Sequence, residues 1–274
     1  MYRELGALLR REFLRWWRTP VWILSSLLVP VLYLILFGQG FGQGLGQCPP
    51  QLGLSCFLGA PNYFSFFSIG MVGFVALTMS LFSGANIIFD KGLGIIKRQV
   101  ATPAPRATLF LSPLIFRSLM ALMPAFLVLG LAVLLAHIPG FVGLTITSNP
   151  GVLGAVEILA AVLVLSLMFN ALFLSFGFAL DNPQSYFGVV NLLNLPILFL
   201  SNALYPPTSE PGWLMSIAAY NPVSLCINVL RLDLFGAGTY YTYPAAVYLG
   251  GLFAWAALFV VVALVVGRRA LRTP

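Results

Sequence analysis

Long apolar runs alternate with short polar segments along the whole chain, and each run has the length that an α-helix needs to cross a bilayer. One crossing takes about 20 apolar residues. Six segments reach roughly this length: residues 21–41, 63–89, 109–136, 152–179, 186–204 and 243–266. The pattern therefore predicts an all-α integral membrane protein with six transmembrane helices, forming a single transmembrane domain over residues 1–274.

The first eighteen residues predict an amphipathic helix that lies on the membrane surface. At 100° per residue, one arc holds the apolar side chains of Tyr2, Leu5, Leu9, Phe13, Trp16 and Trp17, and the opposite arc holds Arg3, Glu4, Arg10, Arg11, Arg15 and Arg18. Leu14 does not fit this division. Tryptophans at the headgroup level, with arginines directed toward phosphates, would hold the helix on the inner leaflet. The alternative is an ordinary basic tail before the first span.

Residues 90–106, with the sequence DKGLGIIKRQVATPAPR, form the long charged segment in the interior of the chain. Ile95, Ile96 and Val100 recur at helical spacing between Gly94 and Pro103, which predicts a short helix along the membrane surface. Such a helix is well placed to receive force from a soluble partner. The alternative is a solvated connector that only fixes the topology.

Charge and composition set the orientation and exclude several classes of protein. With 60% hydrophobic and 8% charged residues, the chain has too few polar side chains to cover a water-soluble domain. Of its 14 Lys and Arg residues, all but Arg231 lie on the side of the predicted topology that holds both termini. The positive-inside rule makes that side cytoplasmic. Because these residues cluster at span ends, nucleic-acid binding is not expected, and no cleavable signal peptide is evident.

The predicted outer side holds two further features. Prolines interrupt the apolar segment 205–242, and neither half of 213–235 is long enough to cross the bilayer, so two short re-entrant helices are expected. Cys48 and Cys56 lie in an outer loop and either form a disulfide or remain two thiols, with Cys226 left over. No spacing of His and Cys residues indicates a metal site.

The segment 195–235 resembles the ABC-2-type permeases of bacterial and archaeal ABC exporters, particularly the daunorubicin-type drug-export branch. The resemblance rests on Pro196, Ser201, Pro206, Pro211 with Trp213, Asn221-Pro222 and Arg231. The segment 90–106 also resembles the coupling stretch of this family at Asp90, Lys91, Gly94, Thr102 and Pro103. Gly92 stands where the family usually has an acid, and Lys97 where relatives often have Glu.

The resemblance implies a transport permease rather than an enzyme. The chain has no Gly-x-x-x-x-Gly-Lys-Ser/Thr motif that would cradle ATP phosphates, so no cofactor is expected on it. ATP and Mg are expected instead on an ABC ATPase subunit, present in two copies, that docks under the N-terminal helix and the coupling residues. Those residues are Asp90, Lys91, Gly94, Ile95, Ile96, Thr102 and Pro103. A second permease chain, identical or paralogous, completes the complex in the plasma membrane of a prokaryote.

The resemblance also places a substrate pathway along spans one, two and five. The aromatic candidates to line it are Phe64, Phe67, Phe74, Phe187 and Phe199, and the polar candidates are Asn191 and Asn194. Amides at membrane depth are costly unless they are paired. Alternatively, the phenylalanines pack inside the protein or contact lipid, and the asparagines form hydrogen bonds between helices at the dimer seam. Ser201, Pro206, Asn221, Pro222 and Arg231 would form an outer re-entrant gate.

The aromatic, nearly uncharged pathway spans favour export of a drug or lipid, and a polysaccharide or lipid-linked glycan is the alternative substrate. An ATP-independent channel or carrier is the alternative from another class. Secondary carriers usually contain inverted repeats and intramembrane acids, whereas Glu157 is the only acid in a predicted span and lies near its edge. An intramembrane serine protease is disfavoured because Ser83 and His137 lie at opposite membrane boundaries.

Overall fold

The computed structural model describes residues 2–18, 20–41, 57, 59–101, 106–205, 211–236 and 241–270, and every extended regular element among them is a helix. The helices are α1 (Tyr2–Trp17), α2 (Pro20–Tyr33) with a π-helix (Leu34–Gln39), α3 (Tyr63–Gly92), α4 (Ile95–Val100), α5 (Arg106–Leu135), α6 (Gly151–Ala179), α7 (Pro183–Phe199), α8 (Gly212–Tyr220), α9 (Pro222–Phe235) and α10 (Ala245–Ala270). The prediction of an all-α protein is confirmed for the described residues.

Four helices, α3, α5, α6 and α10, are long and apolar enough to cross a membrane. They coincide with the second, third, fourth and sixth predicted spans. The other two predicted spans are also helical. However, α7 has 17 residues, or about 25 Å at 1.5 Å per residue, which is less than the ~30 Å hydrocarbon core. The described part of the first span contributes only the shorter apolar helix Leu27–Gln39. The count of six spans therefore stays a prediction.

Contacts at the two ends of the helical bundle show how successive helices alternate in direction. One end, which we call the basic end, brings together α1, α4, the last turns of α3 and α6, and the first turns of α5 and α7, with Arg117 near Glu12 and Lys91 bonded to Phe178. At the opposite end, the side-chain amide of Gln39 exchanges two hydrogen bonds with the backbone of Val142. Gly267, near the end of α10, packs on Phe110 and so also lies toward the basic end.

Helix α3 is the core of the bundle. Phe89 and Gly92 are its only exposed residues, and α2, α5, α6, α7 and α9 pack around it. Small residues permit this close packing. A Cβ atom added to Gly177 of α6 would lie 2.5 Å from the carbonyl oxygen of Gly84 on α3. The two backbones therefore touch toward the basic end of the bundle.

Helices α8 and α9 meet at a bend of 82°. Asn221 forms the corner: its side-chain oxygen accepts a hydrogen bond from Val223 N (2.9 Å), and its amide nitrogen donates to Ile197 O (2.8 Å). Helix α9 begins beside Gly73, deep along α3, and ends near Thr147, whose N–H donates to Leu234 O. The chain thus returns to the end of the bundle opposite the basic end, as a re-entrant segment requires, and its depth in the bilayer stays a prediction.

Helix α1 has a third side that a two-face pattern does not describe. Phe13, Leu14 and Trp17 are exposed together, so Leu14 belongs to the exposed apolar surface. Glu12 is buried between α1 and α5, and Arg11 lies 3.7 Å from Asp90. The prediction that Arg11 is directed toward lipid phosphates is therefore wrong, because the bundle supplies a carboxylate for it.

Candidate functional site

The segment between α3 and α5 folds as a tight turn followed by one short helix. Leu93 N donates to Phe89 O and Gly94 N donates to Lys91 O, which closes the end of α3. Gly94 then adopts a left-handed conformation (φ +68°), which favours glycine, and caps α4. A helix therefore lies where the spacing of Ile95, Ile96 and Val100 predicts one, and it is held firmly to α3.

Four charged side chains join three helices beside this turn, and we call them the four-charge cluster: Arg11, Glu12, Asp90 and Arg117. Arg11 lies 3.9 Å from Glu12 and 3.7 Å from Asp90, and Arg117 lies 3.6 Å from Glu12. Both carboxylates are buried. Because a buried charge is costly without its partner, each arginine fixes the position of the acid that it meets. The cluster therefore fastens α1 to the ends of α3 and α5.

Lys91, the residue after Asp90, points toward a different pair of helices. Its ammonium group donates to Phe178 O (2.6 Å), Leu180 O (3.1 Å) and Asp181 Oδ1 (2.9 Å). The last carbonyls of a helix lack partners within the helix and carry partial negative charge, so a lysine is a favourable cap. Lys91 thus closes the end of α6.

Four other side chains at the basic end face outward, and we call them the apolar–basic face: Phe89, Leu93, Lys97 and Arg98. Phe89 is 50% exposed and Leu93 is 68% exposed, although α3 is otherwise enclosed. Lys97 and Arg98 are exposed on α4, and neither makes an ion pair with any residue that the structure describes. Two exposed apolar side chains therefore lie beside two basic side chains that form no ion pair with a described residue. This combination suits a surface that docks another protein.

At the opposite end, Arg231 is completely buried and ties α9 to its neighbours. Its Nη2 donates to Phe66 O and to Asn202 O, both at 3.1 Å, and its guanidinium lies 3.7 Å from the centre of the Phe66 ring. Asn202 also donates to Asn228 Oδ1 (2.7 Å). Of the predicted gate residues, Ser201, Asn221, Pro222 and Arg231 therefore lie in or beside one buried polar assembly.

The predicted pathway residues do not line one opening in this protomer. Phe64 is fully buried against Gly38, and Phe67 and Phe74 are also buried. These three phenylalanines pack inside the protomer, because other helices of the same chain enclose α3. Phe187 and Asn194 are half-buried. Only Asn191 and Phe199 are exposed, both on α7.

Several sequence predictions fall outside the described residues: Thr102, Pro103, Pro206, Cys48 and Cys56. Conversely, sequence reasoning missed Glu12, Asn202 and Asn228 as buried polar residues that hold helices together. A polar side chain within an otherwise apolar helix was the available signal for Asn228. Among the described residues, no group of three His, Cys, Asp or Glu residues is arranged to hold a metal ion.

Comparison with known proteins agrees with this architecture. The model of the ABC-2 type transporter family matches residues 3–235. The putative transport permease ycf38 of Porphyra purpurea is 29% identical over 230 residues, covering 84% of this chain and 73% of the relative. The daunorubicin resistance ABC transporter permease protein DrrB1 of Streptomyces coeruleorubidus is 23% identical over 225 residues (81% and 71%). The probable doxorubicin resistance ABC transporter permease protein DrrC of Mycobacterium tuberculosis is 23% identical over 221 residues (81% and 73%). The chain therefore belongs to the ABC-2 type transporter family, as a multi-pass transmembrane permease subunit without an ATPase of its own.

Proposed function

We propose that this chain is the membrane-embedded part of an ABC exporter that moves a hydrophobic or amphipathic substrate, such as a drug or lipid, out of the cytoplasm or inner leaflet. Two copies of the permease, or one copy and a paralogue, enclose the pathway. Two ATPase subunits bind ATP and Mg at the basic end, which faces the cytoplasm of a prokaryotic cell. Their closure switches the pathway from inward-open to outward-open. The drug-resistance names of two relatives support the choice of substrate class.

The apolar–basic face is the observation that carries this proposal. Exposed large apolar side chains beside charged residues, at the end of a bundle, are typical of interaction surfaces. Lys97 and Arg98 follow Phe89 and Leu93 within ten residues, so one short stretch of the chain supplies both the apolar and the basic side chains of the face. The complementary partner has an apolar pocket with an acidic rim, which is the surface we expect on the ATPase subunit.

Leu93→Asp should release the ATPase subunit. Burial of one leucine side chain contributes about 1.5–3 kcal/mol, and each 1.4 kcal/mol corresponds to a tenfold change in affinity. We therefore expect at least about tenfold weaker binding of a co-expressed ABC ATPase, measured by co-purification and titration in detergent. Leu93→Met is the matched control and should bind normally, because it conserves apolar volume. Normal ATPase binding by Leu93→Asp would refute docking at this face.

The assignment to an ATP-driven exporter has its own test, in proteoliposomes that contain the permease and its ATPase. Transport should require ATP, and a panel of lipids, drugs and glycolipids should reveal which class stimulates hydrolysis. Stimulation by glycolipids alone would favour the glycan alternative. Substrate movement by the purified permease without any ATPase would favour a channel or carrier and overturn the proposal.

Asn191→Leu tests whether the exposed face of α7 lines the pathway or forms the dimer seam. Asn191 is exposed beside Leu192 and Leu195, which are 73% and 56% exposed, so an amide stands on an otherwise apolar face. If this face lines the pathway, as proposed, the variant should change which substrates stimulate the ATPase while dimer crosslinking stays normal. A dimer seam predicts instead a loss of crosslinked dimer by about threefold to thirtyfold, since an interhelical amide contact contributes about 0.6–2 kcal/mol. Leu192→Met is the matched control for both measurements.

A further inference from the structure

Lys91 lies within the proposed coupling segment, yet its charge is directed into the protein rather than toward a docking partner. An ammonium group has three donor hydrogens, and the three oxygen atoms within 2.6–3.1 Å of Nζ account for all of them. Only 23% of its side chain is exposed. A residue that met the ATPase through this charge would first have to break these bonds.

The three acceptors of Lys91 lie at the end of α6 and in the short connection that leads to α7. Phe178 O and Leu180 O are at the end of α6, and Asp181 is next to Asn182, the residue that caps the start of α7. Asn182 caps α7 by accepting a hydrogen bond from Gln184 N at 2.9 Å. Lys91 therefore holds a connection that is only a few residues long. A displacement of the lysine would be transmitted through this connection to the start of α7.

Helix α7 is much less enclosed by the bundle than α3 is. Only Tyr186, Val190 and Leu198 are buried along its 17 residues, whereas α3 is almost wholly enclosed. A helix with few buried contacts opens at lower free-energy cost than one in the core. Because the turn after α3 is closed by backbone hydrogen bonds, a push on α4 carries Lys91 with it.

We propose that Lys91 is the positioning residue that transmits displacement of the coupling segment to α7, and hence to the exposed face that carries Asn191. This inference rests on the proposed function and assigns a route within it. The four-charge cluster joins the same segment to α1 and α5, so it is a separate connection. ATPase docking at Leu93 and transmission through Lys91 are then separable by mutation.

The test uses the complete permease–ATPase complex in proteoliposomes. Lys91→Met keeps the length of the side chain and removes all three hydrogen bonds. We expect it to retain the ATPase on purification and to hydrolyse ATP, while substrate moved per ATP falls by about tenfold or more, within the range of typical coupling energies. Asp181→Asn is the matched control, with a loss of less than about threefold, because the Asp181 side chain is 93% exposed and both carbonyl contacts remain.

A distance measurement distinguishes a loss of transmission from general damage to the protein. Spin labels on cysteines introduced at Ala101 and Gln184, both exposed, report the distance between the end of α4 and the start of α7. With all three native cysteines replaced, that distance should stay fixed when nucleotide drives wild-type closure, because Lys91 moves both elements together. In Lys91→Met it should change. If Lys91→Met does not fold, Lys91→Gln keeps a polar side chain but removes the charge, and it should lower coupling in the same way.

Each outcome has one meaning. Unchanged substrate movement per ATP in Lys91→Met would overturn the role of Lys91 and leave the proposed function intact. Loss of ATPase binding in Lys91→Met would also overturn it, since the residue would then serve docking. Transport without ATP by the wild-type protein would instead overturn the proposed function.

Discussion

Gly84→Val should strongly destabilise the folded protein, whereas Gly130→Val, the same change at a glycine on a neighbouring helix, should leave its stability nearly unchanged. A Cβ atom at Gly84 would lie inside contact distance of Phe173 O and of the Tyr186 hydroxyl. Both neighbours are fixed, because one is helix backbone and the other donates a hydrogen bond to Leu81 O. A Cβ atom at Gly130, in the last third of α5, would meet nothing within 4 Å.

The expected size of this effect follows from the contact between α3 and α6. Overpacking a core typically costs 1–3 kcal/mol when side chains can adjust. At Gly84 the helices themselves would have to separate, so we expect about 3 kcal/mol or more against a total stability of about 5–15 kcal/mol. Size-exclusion chromatography and thermal unfolding in detergent measure the outcome. A monodisperse Gly84→Val protein that unfolds at the wild-type temperature would show that α3 and α6 are not in backbone contact.

The helices themselves were predictable because lipid-length apolar runs and prolines mark them directly in the sequence. The runs at 63–89, 109–136, 152–179 and 243–266 each contain a long helix, and the prolines around Asn221 mark the bend between α8 and α9. Gly94 likewise marks the start of α4, since the turn requires a left-handed residue. These features depend only on neighbours in the sequence.

The partners of polar residues were not predictable, because they depend on contacts between distant parts of the chain. Lys91 meets Asp181 across 90 residues, and nothing near Lys91 indicates that partner. A helical projection of α1 divides it into apolar and polar arcs. It therefore cannot show that the bundle contacts Glu12 and Arg11 on a third side.

The surroundings of the aromatic residues of α3 were also not predictable from the sequence. A helix that is apolar on every side is expected to be buried, but its sequence does not say whether protein, lipid or a pathway surrounds it. The structure resolves this for Phe64, Phe67 and Phe74, which pack inside the protomer. In contrast, the exposed Asn191 is distinguishable in sequence, because a polar group in an apolar helix needs a partner.

Arg231→Glu should detach α9 from the bundle and expose Cys226, which is completely buried on the same helix. The arginine donates to Phe66 O and Asn202 O and stacks on Phe66. A glutamate would direct negative charge at those two carbonyl oxygens and would remove the hydrogen bond that each accepts from Arg231. Each hydrogen bond from a charged donor contributes about 1.5–3 kcal/mol, so the loss of one bond alone predicts at least about tenfold more open state.

Maleimide labelling of Cys226, with Cys48 and Cys56 replaced by serine, measures this opening. Labelling of Arg231→Glu should be at least about tenfold faster than that of the parent protein. Arg231→Met is the matched control and should label at an intermediate rate. It removes the same two hydrogen bonds, but an apolar side chain avoids the desolvation of an unpaired buried charge. Equal labelling rates of Arg231→Glu and the parent protein would show that apolar packing alone holds α9. Equal labelling rates of the two variants would show that the lost hydrogen bonds, rather than the reversed charge, determine the opening.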